Sequence, residues 1–295
     1  MSFKYDFAVS YRVYPGIGRE AIPLFEGDKF LLTRVAFQSF VRAVEGFKVK
    51  LTVLLDGCPA AYEEFFRSAW SQPSLEIVHY TKKGNYGTFQ DQMTQLDAER
   101  EAEFLCVAED DYFFLPEAFR CMHELLKAHP EVDYLTPYDH LEYYVSRHQE
   151  MSHEVLADPK MPVWRTVPST TCSFVARPEA FRDNLHAFRS YGKPFWFNYG
   201  TDGTMWLAIT KHRVYDPFRA MRWLGSAKYV AWSWFTAWTL CGLDILFKKP
   251  RKLWAPIPSL ALHLVHSYLP PGVDWNRLLA EAIEEDRRSK SQHRP

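Results

Sequence analysis

The sequence predicts an α/β fold: a mostly parallel sheet flanked by helices, followed by an irregular, largely helical C-terminal region. In the first half, apolar runs of strand length alternate with longer stretches of helical periodicity. With 295 residues, 47% of them hydrophobic, the chain can bury both faces of such a sheet. Charged and polar residues cluster just after the strand-like runs, and ligands of parallel sheets gather outside the C-terminal ends of the strands.

The elements follow in order. "DFAVSYRVY" is the first strand, with Arg12 and Tyr14 at its end, and "DKFLLTRVAFQSFVRAVEG" carries a helical period. "KVKLTVLLD" stops at Asp56 and Gly57; the helical "AAYEEFFRSAW" leads to a third strand, "LEIVHY", and to the polar stretch "KKGNYGTFQDQ". "EFLCVAED" then runs into three consecutive acids, Glu109, Asp110 and Asp111. Beyond them "VDYLTPYDH" reads as another strand, a loop passes Pro159, Pro162 and Pro168, and "TTCSFVARPEAF" holds a short strand. "YGTDGTMWLAITKH" is a loop entering a helix, and "ALHLVHSYLPPGVDW" precedes a charged, solvated tail, "EAIEEDRRSKSQHRP". No repeat or flexible linker divides the chain, so residues 1–275 are expected to form one domain and 276–295 a charged tail.

Composition narrows the partners. Lys and Arg number 35 against 36 Asp and Glu, which gives no electrostatic case for a polyanion, and no nucleic-acid partner is expected. The five cysteines are scattered without a Cys-x-x-Cys spacing, as suits a reducing compartment. The N-terminus carries early charge and no apolar signal segment, so a cytoplasmic location is expected. The stretch from Tyr229 to Phe247 is long enough to span a bilayer but is rich in Trp, Ser and Thr and contains Asp244. It reads as a buried or interfacial helix, and the "FKKPRK" that follows suits peripheral association with an anionic membrane face.

Three adjacent carboxylates repel one another, and a strand core excludes them. At the mouth of a parallel sheet they can hold a divalent cation that in turn holds phosphate oxygens. The other reading, acids favoured by the dipole of the helix in "LPEAFRCMHELL", has "YFF" intervening. "FLCVAEDDYFFLPEAF" resembles the metal-binding segment of nucleotide-sugar-dependent glycosyltransferases of the GT-A fold, family 2-like, whose Asp-x-Asp signature takes the form Glu-Asp-Asp in some members. The resemblance implies a Rossmann-like GT-A domain, with 1–140 as nucleotide-binding half and 141–275 as acceptor-binding half. It implies a Mn²⁺ or Mg²⁺ cofactor, a nucleoside-diphosphate sugar as donor, and a glycan or lipid-linked acceptor. Asp111 would be the direct metal ligand, with Glu109 and Asp110 towards the sugar and ribose; Glu109 departs from the commoner first Asp.

Other positions match the family pattern one at a time. Arg12 ends the first strand beside the expected nucleotide site. Asp56 sits where such enzymes place an acid that accepts hydrogen bonds from base or ribose, although an Asp-Gly turn explains it equally. Asn85 and Gln92 lie in a stretch positioned beside nucleotide and donor sugar, and the same residues also fit a turn before a helix. Asp202 lies at the distance beyond Asp111 at which inverting members carry the catalytic base, and it also fits a helix N-cap; Trp206, one turn on, could offer a sugar a platform. His263 and His266 are the candidates for a C-terminal histidine closing the metal site, with His266, before the Pro-Pro-Gly turn, the preferred match. Tyr138, Trp164, Trp196, Trp206, Trp232 and Trp234 are candidates for an acceptor groove, most of them destined for the core. The expectation is a metal-dependent, inverting glycosyltransferase; the alternatives are a sugar nucleotidyltransferase, which the first loop does not favour, and a non-catalytic nucleotide- or carbohydrate-binding module of the same fold.

Overall fold

The computed structural model describes residues 3–16, 22–146, 149–159, 161–195, 198–218, 222, 228–264 and 269–292. The chain begins β1 (Tyr5–Val13), α1 (Lys29–Ala43), β2 (Val49–Asp56), α2 (Ala60–Ala69), β3 (Leu75–Tyr80), α3 (Gly84–Ala98) and β4 (Ala102–Glu109). It continues through β5 (Tyr112–Phe114), α4 (Ala118–Ala128), β6 (Tyr134–Leu135), α5 (Glu142–Val145), β7 (Val155–Leu156), β8 (Val163–Val167) and β9 (Phe174–Ala176). Then come α6 (Pro178–Asp183), α7 (Leu185–Phe188), the small strands β10 (Pro194–Phe195) and β11 (Asn198–Tyr199), and α8 (Asp202–Thr210). The helix Lys228–Phe247, β12 (Leu253–Ile257), β13 (Ala261–His263) and a C-terminal helix, Trp275–Gln292, complete it.

Among the described residues the main sheet has nine strands, in the order β3-β2-β1-β4-β9-β6-β12-β8-β7. Among the described strands β9 and β8 run against the others, so the sheet is mostly parallel. Side-chain alternation along the central strands explains why both faces are covered. In β1 and β4, Val9, Tyr11, Phe104, Cys106 and Ala108 turn to one core with Phe37 and Phe40 of α1, Phe66 of α2 and Phe119 of α4. Ala8, Leu105 and Val107 turn to the other, with Phe89 and Met93 of α3 and with Phe181, Phe188 and Trp206 of α6 to α8. Arg12 and Glu109, partners in the β1–β4 ladder, share this second face.

Several expectations need correction. The residues after the acids form β5, which pairs antiparallel with β13. The charged tail is a docked helix: Trp275, Leu279, Ala282 and Ile283 bury one face against Leu31, Leu32, Val35 and Ala36 of α1. Its polar residues mislead because only one residue in three or four needs to be apolar to bury such a face. Trp206, Trp164 and Tyr138 are fully buried and offer no platform to a sugar; Trp206 meets Tyr134, Phe174 and Phe188 edge to face. Trp234 gives its indole N–H to the carbonyl of Val214 and packs against the second core, Trp232 is half-buried, and Trp196 lies outside the described residues.

Candidate active site

The three acids leave β4 in three directions, each with different partners. Glu109 faces the α3 side and forms an ion pair with Arg12, its ladder partner. Arg12 also donates to the Asn85 carbonyl at 2.5 Å. Asp110 points to the start of α1, where Lys29 Nζ at 2.8 Å and Thr33 Oγ1 at 2.8 Å reach its Oδ2. Burial pushes both carboxyls up, against the pull of Arg12 on Glu109 and of Lys29 on Asp110.

Asp111 is half-buried and meets a different partner. Its Oδ2 lies 3.2 Å from His263 Nε2, and its Oδ1 is a buried oxygen with no hydrogen-bond partner among the described residues. The β5–β13 ladder creates this meeting: Tyr112 pairs with His263, and the Leu264 N–H donates to the Asp111 carbonyl at 2.8 Å. The Tyr112 and His263 rings stack with centroids 4.9 Å apart. Burial alone would raise the Asp111 carboxyl; His263, Lys29 and Arg12 outweigh it and hold the group below the usual carboxylate range. Burial opposes charge on His263, yet Asp111 and Glu109 keep its imidazole above its ordinary range. His266 lies outside the described residues.

The remaining expected residues divide between framework and surface. Asp56 is buried, and its two oxygens accept the N–H groups of Lys83 at 2.7 Å and Gly84 at 2.6 Å. It shapes the loop that opens α3, where Lys82 and Gly84 both have positive φ, rather than facing an open cleft. Gln92 is fully buried and donates to the carbonyls of Ser10 at 2.7 Å and Ala108 at 3.1 Å. It ties β1 to β4 below the site, a correction to a role beside the donor. Asn85 is exposed, and its amide donates to Tyr191 Oη at 3.2 Å.

Asp202 opens α8, but the N-cap is Thr201, which forms a reciprocal capping box with Thr204. Freed from capping, the Asp202 carboxylate accepts only the neighbouring Gly203 N–H, at 2.7 Å, among the described hydrogen bonds. It lines a cavity of about 200 Å³ together with His140, Tyr143, Thr170, Thr171 and Ser233. Burial raises its carboxyl above the ordinary aspartate range, against the pull of the Gly203 N–H. Thr171 joins this cavity to the acid site by bonding to the Tyr112 hydroxyl, whose ring lies on His263. The Asp202 carboxyl also senses the His263 charge.

Lys29, Thr33, Tyr112 and Thr171 escaped sequence reasoning. Only Lys29 carried a signal: it follows Asp28, whose carboxylate caps α1 by accepting the Leu31 N–H at 2.9 Å, so "GDK" marks a helix start with its cation at the sheet mouth. Tyr112 and Thr171 meet only through tertiary pairing.

No known family profile matches the chain, and no curated protein matches it. Solved structures do. A crystal structure of S. aureus TarS, residues 1–349, is 14% identical over 61% of this chain and 49% of that one, with TM-score 0.38. The same fragment in complex with UDP-GlcNAc matches at 12% identity, 61% and 48% coverage and TM-score 0.34. A 4-diphosphocytidyl-2C-methyl-D-erythritol synthase from Anaerococcus prevotii is 9% identical over 68% of this chain and 81% of its own, with TM-score 0.36. The chain thus spans about half of the TarS fragment. The chemistry rests on the residues described above.

Proposed function

We propose that the chain is a divalent-cation-dependent glycosyltransferase that transfers a sugar, with inversion, from a nucleoside-diphosphate sugar to a hydroxyl of a glycan or glycoconjugate. The observation that carries this reading is the pairing of Asp111 with His263 at the mouth of the parallel strands, one residue layer from a cavity that holds Asp202. Asp111 and His263 suit Mn²⁺ or Mg²⁺: the orphaned Asp111 carboxylate oxygen and the His263 imidazole nitrogen would hold it. When bound, the cation supplies charge neutralisation for the leaving diphosphate.

The chain's own residues do the rest. Arg12 and Lys29 pair with Glu109 and Asp110 and offset part of the acid charge beside Asp111. Asn85 stands exposed at the rim as a polar contact for the donor. Asp202 accepts the acceptor's hydroxyl proton while the hydroxyl oxygen bonds to the anomeric carbon and the bond to the diphosphate breaks. Its cavity is open enough for an acceptor group and polar enough to orient one.

The test is nucleotide release from a panel of UDP-, GDP- and dTDP-sugars with Mn²⁺, with and without chelator. Release that needs the metal and disappears in Asp111→Asn and His263→Ala is expected. If no donor is consumed and no nucleotide raises the melting temperature, the proposal fails.

A further inference from the structure

The helix Lys228–Phe247 has two unlike faces. Ala231, Ala237, Cys241 and Ile245 are buried against α7 and α8, and its only acid, Asp244, turns inward to His186 Nδ1 at 2.7 Å and Lys248 Nζ at 3.1 Å. Most of the exposed residues are apolar, Phe235 45% exposed, Leu243 72%, Leu246 57% and Phe247 81%, with Thr239 exposed among them. The backbone leaves helical geometry at Cys241, with φ −128° and ψ 19°, so the exposed apolar residues form two patches, Phe235 before the break and Leu243, Leu246 and Phe247 after it. No acid is exposed on the segment. Lys228 and Lys249 stand exposed at its two ends, and neither has an ion pair among the described residues.

We infer that these patches lie in the plane of a bilayer surface containing anionic lipid, with the helix half sunk at the headgroup boundary. The apolar patches supply the insertion, and the terminal lysines supply the attraction to phosphate or carboxylate headgroups. The helix does not cross the membrane, because its opposite face is committed to the protein core. A second copy of the chain fits worse. Packing two copies across these patches would bring exposed lysines together with no exposed acid on the segment to neutralise them. Tyr229, Val230 and Ser233 of the same helix line the Asp202 cavity. The inference does not depend on the transferase reading.

Co-sedimentation of the full chain with vesicles tests it directly. Binding is expected to phosphatidylcholine vesicles containing phosphatidylglycerol, weaker to pure phosphatidylcholine, and falling with salt. Leu243→Glu with Phe247→Glu should weaken binding by about tenfold or more at an unchanged melting temperature, because both positions are on the surface. Lys249→Glu, which leaves the apolar patches intact, should remove the preference for anionic vesicles. The inference is overturned if neither vesicle is bound, if both variants bind like the parent, or if light scattering shows a dimer that the double substitution dissociates.

Discussion

A carboxyl that has lost part of its water is a stronger base than a surface aspartate, and Asp202 is in that state. Below its pKa the group is protonated and cannot take a proton from an attacking hydroxyl, so the rate falls as pH drops through that value. Since burial raises the value, the acid limb of kcat/KM against pH should lie above the range of an exposed aspartate. Asp202→Asn keeps the Gly203 contact nearly isosteric, and it should cut transfer by about 10²–10⁴-fold while nucleotide binding survives. A limb at the ordinary aspartate position, or equal loss of binding, would remove Asp202 from the role of base. The three acids of the triplet were legible because no strand core tolerates them. The choice between His263 and the preferred His266 was not, because an imidazole in an apolar stretch gains meaning only from its strand pairing, which places His263 against Tyr112.

At the scale of elements, the alternation of strand and helix was readable because each run repeats its own period, and the order from β1 to β4 follows it. What the periods could not convey is the capping of one element by another. α3 begins without a side-chain cap of its own; Asp56, at the end of β2, supplies it from 27 positions away by taking the N–H groups of Lys83 and Gly84. An Asp before a Gly reads locally as a turn residue, so this reach was invisible in the sequence. Asp56→Ala leaves two amides without their carboxylate in a partly buried corner and should cost about 1–2 kcal/mol of stability, seen as a lower denaturant midpoint. Asp56→Asn, which keeps one acceptor oxygen, should lose less. Equal stability of parent and alanine variant would show that the loop satisfies those amides without the carboxylate.

Over the whole molecule, the last helix reaches back to the first. Arg34 Nε and Nη2 grip Asp286 Oδ1 and Oδ2 at 2.9 Å and 2.8 Å, both side chains buried, while Trp275, Leu279 and Ile283 cover the same stretch of α1. The pair joins positions 252 apart in the chain, and a run such as "EEDRRSK" gives no hint that one of its acids is sequestered. α1 also carries Lys29 and Thr33, which hold Asp110. The C-terminal helix therefore braces the element that orders one wall of the acid site. Asp286→Ala strands a buried guanidinium and should destabilise the fold by about 3–5 kcal/mol, whereas replacing both partners together, Arg34→Met with Asp286→Leu, should cost far less because no charge is left unpaired. Urea unfolding of the two variants separates these outcomes, with m-values checking that each still unfolds as one unit. If the helix were merely a solvated tail, Asp286→Ala would unfold at the parental midpoint and nucleotide binding would be untouched; if it braces α1, binding should weaken along with stability in the single variant and recover in the double.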